Sequence, residues 1–82
     1  MKLAYPCRIK LKNDAYRICF RDFKELRAES RSYEEALETA EEVLNNLLEI
    51  MLEEDEEPCS PSLPKTDEVL IPVRAEISGR IS

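Results

Sequence analysis

SYEEALETAEEVLNNLLEIMLE, residues 32–53, carries its own start signal and a single apolar stripe. Ser32 and Glu35 form a capping box. The serine oxygen is placed to accept the backbone N–H of Glu35, and the Glu35 carboxylate to reach back to the N–H of Ser32. Glutamates in the first turn also suit the positive end of the helix dipole. Beyond the cap, Tyr33, Ala36, Leu37, Ala40, Val43, Leu44, Leu47, Leu48 and Met51 recur at steps of three and four. At 100° per residue they share one face, which predicts an amphipathic helix of about twenty residues. Glu35, Glu38, Glu42, Asn45, Glu49 and Glu53 are expected on the opposite, solvated face. Several of these acids stand four apart, which weakens an isolated helix, so packing of the stripe must stabilise it. Ile50 and Leu52, on the shoulders of the stripe, are read as additional core.

The partner for that stripe lies upstream. From Tyr5 to Lys12, apolar Tyr5, Cys7, Ile9 and Leu11 alternate with basic Arg8, Lys10 and Lys12. Asn13-Asp14 is a turn signal. Tyr16, Ile18 and Phe20 then alternate with Arg17, Cys19 and Arg21. Period two with one polar face predicts a half-buried antiparallel hairpin, apolar inside and basic outside. Asp22 to Glu25 interrupts the pattern, and Leu26–Glu29 reads as a short third strand. After the helix come five consecutive acids, Glu53–Glu57, and then Pro58-Cys59-Ser60-Pro61-Ser62-Leu63-Pro64, which cannot be helical and is expected to be extended. Val69-Leu70-Ile71-Pro72-Val73 is a fourth strand, buried or at a packed edge, with Pro72 at a strand end or edge. The fold class is therefore α+β, a two-layer β-β-β-α-β domain with one long helix on one face of the sheet. A return through the helix permits parallel pairing of the last strand with the first. Ile9, Ile18, Phe20, Leu37, Ala40, Leu44 and Leu47 are expected in one core.

At 82 residues the chain is one domain. Its net charge of −6 is unevenly spread. Residues 1–31 carry nine Lys/Arg and four Asp/Glu, residues 32–57 carry eleven acids and no base, and residues 58–82 carry three of each. Phosphate neutralisation supplies most nucleic-acid affinity, so strong binding of DNA or RNA is not expected from this balance. The acidic segment instead suits a basic partner. No apolar run is long enough for a membrane span or a signal peptide, which predicts a cytoplasmic protein.

Catalytic chemistry has little to work with. There is no His, hence no common general base. The one glycine, Gly79, makes no phosphate loop, and Ser60 and Ser62 have no His to activate them. Asp14 and Asp22 fall at strand ends and most other acids on one helix face, a poor cage for paired metals. No enzyme, cofactor or metal is expected. Cys7, Cys19 and Cys59 lack CxxC spacing and are odd in number, so they read as small buried hydrophobes without a disulfide framework.

Taken together, Tyr5-Pro6, Arg21-Asp22-Phe23, Ser30–Ala40, Pro58–Ser62 and Ile71–Glu76 are similar to antitoxins of the HicB family. Tyr5-Pro6 opens the first strand. Arg21-Asp22-Phe23 stands where that family has a Pro-Asp-aliphatic turn. Ser30 to Ala40 resembles its Gly-Asp-Thr-x-x-Glu-Ala segment, with Ser32 at the Thr cap and Glu35-Ala36 at the Glu-Ala pair. Pro58-Cys59-Ser60-Pro61-Ser62 is similar to its Ile-Pro-x-Pro-Ser loop, and Ile71–Glu76 to its last strand. The order and spacing hold across residues 5–76. The departures are Ser30-Arg31 for Gly-Asp and Arg21 for the Pro.

The resemblance implies a partial RNase H-like sheet without nuclease chemistry. It implies that residues 1–74 form a toxin-neutralising domain and that residues 75–82 lead into a helix-turn-helix or ribbon-helix-helix DNA-binding domain, so that these residues alone do not bind DNA. It implies a partner, a small basic mRNA-cleaving toxin of the HicA type, together with self-association into a dimer or higher homo-oligomer. Candidate contacts are the helix acids Glu38, Glu42, Glu49 and Glu53, Asp55 just beyond, and Asp22 beside the basic sheet face. The competing readings are a non-catalytic oligomerisation or regulatory module without a toxin, and, last, an RNase H-like hydrolase.

Overall fold

Asn13 and Asp14 both adopt the left-handed conformation, with φ of 52° and 63°. Asn and Asp tolerate that region, and two such residues in succession make the tight turn that matches strand twist. They join β1 (Ala4–Lys12) to β2 (Ala15–Phe20) as an antiparallel hairpin in the register Lys12↔Ala15 and Ile9↔Ile18. The computed structural model describes residues 3–81. A turn closed by Leu26 N–H on Phe23 O at 3.0 Å leads into β3 (Arg27–Ser30), antiparallel to β2 with Ile18 opposite Ala28. The third strand thus forms one residue later than the sequence suggests. Next come α1 (Tyr33–Glu53), β4 (Glu68–Pro72) and the short α2 (Ala75–Ser78). The sheet order is β3-β2-β1-β4.

Ser32 caps α1, its hydroxyl accepting from Glu35 N–H at 3.1 Å. Only the serine's half of the capping box forms. Ala36, Ala40, Leu44 and Leu48 point into the sheet and are fully buried. They meet Tyr5 and Cys7 of β1, Ile18 and Phe20 of β2, and Ile71 of β4 in one cluster. Ile9, Leu37 and Leu47 pack against this cluster half-buried. The Tyr5 and Phe23 rings lie 4.9 Å apart at 59° and close one end of the core. Ile77 of α2 is buried in the same cluster, so the core extends past residue 74.

Four expectations change. First, β4 runs antiparallel to β1, with Cys7 opposite Val69, rather than parallel. A helix alone returns the chain for a parallel strand, but residues 54–67 add a second reversal. This extended segment crosses the end of the sheet at Tyr5, Asp22 and Arg21, then enters β4 beside Arg8. Pro72 closes that edge strand, where its missing N–H breaks no ladder inside the sheet. Second, Asn45 is completely buried instead of solvated. It lies on the β4 side of α1, covered by Pro72–Arg74, which its carboxamide binds. Third, Ile50 is 52% exposed. It sits on the opposite shoulder, toward β3, and among the described residues no strand lies beyond β3 to cover it; Leu52 does pack partly against the core. Fourth, only Cys7 is buried, while Cys19 and Cys59 are exposed free thiols. Cys19 alternates onto the sheet face that no helix covers, and Cys59 is in the loop.

Candidate partner-binding surfaces

The outward side of α1 is an acidic surface. Glu38, Glu42, Glu49 and Glu53 are all exposed on it. Helical spacing sets Glu38 and Glu42, and Glu49 and Glu53, one turn apart, where like charges repel. The helix ends in a Schellman turn, with Glu56 N–H on Met51 O at 2.8 Å and Asp55 N–H on Leu52 O at 3.2 Å. Asp55 occupies the left-handed position of that turn at φ 58°, where glycine is most at ease. No basic residue stands in the last turn, and the acids of 53–57 crowd the negative end of the helix dipole. The arrangement works against the stability of α1, so a fold argument alone does not account for it.

Asp22 does not join that surface. Its Oδ2 accepts the N–H of Ser62 at 2.9 Å, and its Oδ1 accepts the Ser62 hydroxyl. Next to it, the Arg21 guanidinium donates to Leu63 O and to Glu68 Oε1, the latter at 2.9 Å. Tyr5 completes the attachment, its hydroxyl donating to Cys59 O at 2.7 Å. Asp22, Arg21 and Tyr5 therefore fasten the proline-rich loop to the end of the sheet. The proline-rich loop Pro58–Pro64 was visible in the sequence, but nothing there paired Ser62 with Asp22 forty residues away.

Glu68 is the acid at the centre of this attachment, its side chain only 2% exposed. The Lys65 N–H, donating to it at 2.8 Å, holds its carboxyl below the usual range; burial opposes this, and Arg21 adds to the lowering. Burial, reinforced by nearby Cys59 and Asp22, pushes the Tyr5 phenol up to about 12. Tyr5 and Cys59 line a cavity of about 440 Å³ between the loop and α2, together with Leu3, Pro58, Gly79 and Ile81. Burial also raises the Cys59 thiol, with the Asp22 charge adding to it. Neither group is a ready nucleophile at neutral pH.

The sheet face away from α1 is basic. Across the strands, Arg27, Cys19, Arg8 and Glu68 form one row, and Glu29, Arg17 and Lys10 the next. Arg8 pairs with Asp67 at 3.0 Å and Arg17 with Glu29 at 4.0 Å, both at exposed positions where such pairs contribute little. Arg27 was missed as a member of this face, although alternation along the third strand would have placed it there. Among the described residues, no three His, Cys, Asp or Glu side chains converge to hold a metal ion, and no helix is long and apolar enough to cross a membrane.

The whole element order, from the first strand to α2, lies within the match to a bacterial family described as HicB_like antitoxin of bacterial toxin-antitoxin system, over residues 4–78. The chain belongs to the HicB-like antitoxin family. Among curated proteins, none matches the chain significantly. Membership in the HicB-like family supports an antitoxin role, with a toxin as the kind of partner. The family match reaches beyond β4 to take in Ile77, the α2 residue buried in the core.

Proposed function

We propose that this chain binds and masks a small basic mRNA-cleaving toxin of the HicA type in the cytoplasm, without chemistry of its own. The observation that carries this is the exposed acidic face of α1, kept although it weakens its own helix. A basic RNA-binding protein meets a complementary field there, which speeds encounter and orients docking. Glu38, Glu42, Glu49, Glu53 and Asp55 are the steering groups. Asp22 acts at one remove, by holding the loop beside the basic sheet face.

Stopped-flow association with the cognate toxin tests this. Replacing the four glutamates by Gln and Asp55 by Asn should slow association about tenfold or more at low salt and flatten its salt dependence, with a smaller change in dissociation. An unchanged on-rate and salt slope would show that these acids are only solvated and would remove them from the interface.

A further inference from the structure

The sheet face that α1 leaves open carries a shallow basic groove. Pleat alternation sends Cys7, Ile9, Ile18 and Phe20 toward the helix, so Arg8, Lys10, Lys12, Arg17, Cys19 and Arg27 take the other face. Three hollows of about 300, 310 and 330 Å³ adjoin there, since Cys19 borders all three. Arg17, Arg27 and Glu29 line the first, Arg8 and Lys65 the second, and Arg8, Lys10, Lys12 and Arg17 the third. Against these cations stand Glu29 and Asp67, paired with Arg17 and Arg8 at half-exposed positions where a competing anion can displace them.

The acids of α1 lie on the other side of the sheet. The two layers stand about 10 Å apart, close to the Debye length at physiological salt, so the helix acids act on the groove only weakly. Side chains two apart on a strand are separated by about 7 Å. Arg8, Lys10 and Lys12 therefore form a row with a step similar to that of neighbouring phosphates on an extended nucleic-acid strand. Arg17 and Arg27 add planar forks, each able to take a phosphate through two parallel hydrogen bonds. A protein partner would need an apolar anchor near the middle of its contact, and between Arg8, Arg17 and Arg27 lies only the small Cys19. A short, shallow groove suits one flexible strand better than the two strands of a duplex.

We propose that this groove binds the sugar-phosphate backbone of single-stranded RNA, without sequence preference. Lys10, Lys12, Arg8 and Arg17 hold successive phosphates, and Arg27 and Lys65 extend the path at either side. The chain's net charge of −6 keeps the binding weak, with a dissociation constant on the order of 10⁻⁴ M at physiological salt. The contact is electrostatic and therefore salt-dependent. This inference does not rest on the toxin-binding reading, which uses the acids on the opposite side of the molecule and is tested with a different partner.

Fluorescence anisotropy of a labelled oligouridine, titrated with the full chain at several salt concentrations, reads the outcome. Affinity falls with salt at a log–log slope of about −2 to −3, the value for three or four phosphates on a single strand. Lys10→Glu with Arg17→Glu, directly opposite each other across β1 and β2, weakens binding about tenfold or more. Lys24→Glu with Arg31→Glu changes the net charge equally at exposed positions off this face and leaves the affinity within about threefold. The milder Lys10→Gln with Lys12→Gln flattens the slope by about 1.4, at about 0.7 per lost phosphate contact. Saturating oligouridine also slows labelling of Cys19 by a disulfide reagent and leaves Cys59, in the loop, at its own rate. Circular dichroism confirms that each variant is folded. No binding up to about millimolar protein overturns the proposal. So do equal losses in the two charge-matched variants, an unprotected Cys19, or tighter binding of a duplex DNA of the same length.

Discussion

Asn45 and Arg74 are joined by a hydrogen bond of 2.8 Å, the Arg74 backbone N–H donating to Asn45 Oδ1. The same carboxamide donates through Nδ2 to Pro72 O at 3.3 Å and to Glu41 O at 2.7 Å. One buried side chain thus ties the middle of α1 to the end of β4 and the start of α2. Asn45→Ala leaves a buried N–H and C=O unpaired and should cost about 1–3 kcal/mol. Asn46→Ala, one position on and exposed, should stay within about 0.5 kcal/mol. Urea unfolding of the two variants side by side is the check. Equal midpoints would mean that Asn45 is not a fastening point.

Asp22 fastens the loop in a comparable way, but at the surface. Asp22→Ala removes both acceptors from Ser62 and should lower stability by about 1–2 kcal/mol. The local effect is the sharper readout. With the loop released, tryptic cleavage at Lys65-Thr66 and amide exchange at Ser62 should accelerate well before global unfolding. Exchange at Ser62 that follows global stability alone would show that the clamp holds nothing locally.

Much of this fold was legible in the sequence because the β1–β2 hairpin and α1 each have a clean period, while β4 stands out as a short apolar run between loop signals. Leu44 sits at the centre of the stripe and is fully buried, so Leu44→Ala should cost about 2–5 kcal/mol. The failures share a cause. Asn45 looks polar and solvated until a distant segment, Pro72–Arg74, covers it, and periodicity carries no information about that cover. Ile50 looks like core until the sheet proves to end at β3. The direction of β4 depended on the path of residues 54–67, which bind through Asp22, Arg21 and Tyr5 rather than through any repeating pattern. The acids of α1 were readable as an exposed stripe from their spacing. Asp22 was readable as a strand-end acid and a candidate contact beside the basic sheet face, but its role as a clamp was not.

The three cysteines should differ in reactivity. Burial pushes the Cys7 thiol up to about 12, and the core excludes reagent from it. Cys59 is exposed, yet burial of its sulfur and the Asp22 charge raise its thiol. Cys19 is exposed on the sheet face that α1 leaves open. Thiolate is the reactive form, so at mildly alkaline pH a disulfide reagent should label Cys19 first, Cys59 more slowly, and Cys7 only on unfolding. Peptide mapping of the labelled protein decides the order. Early labelling of Cys7 in the folded state would contradict the packing of β1 against α1.

Glu68 gives the protein an acid limb. Its carboxyl is held below the ordinary 4.5, first by the Lys65 N–H and then by Arg21, against the opposing effect of burial. A group lowered on folding contributes stability that is complete above its unfolded value and is lost as pH falls through its folded one. Glu68→Gln removes that contribution, since a neutral amide cannot pair with Arg21. The wild type should therefore unfold at higher urea than the variant at pH 7, and the gap should narrow as pH drops below about 4.5. Protonation frees Arg21 and Lys65 together, so the segment from Leu63 to Glu68 should gain amide exchange in the same window. A gap that stays constant down to pH 3 would show that Glu68 is already protonated, or that Arg21 finds another partner, and that the attachment of this loop does not depend on the charge of its buried carboxylate.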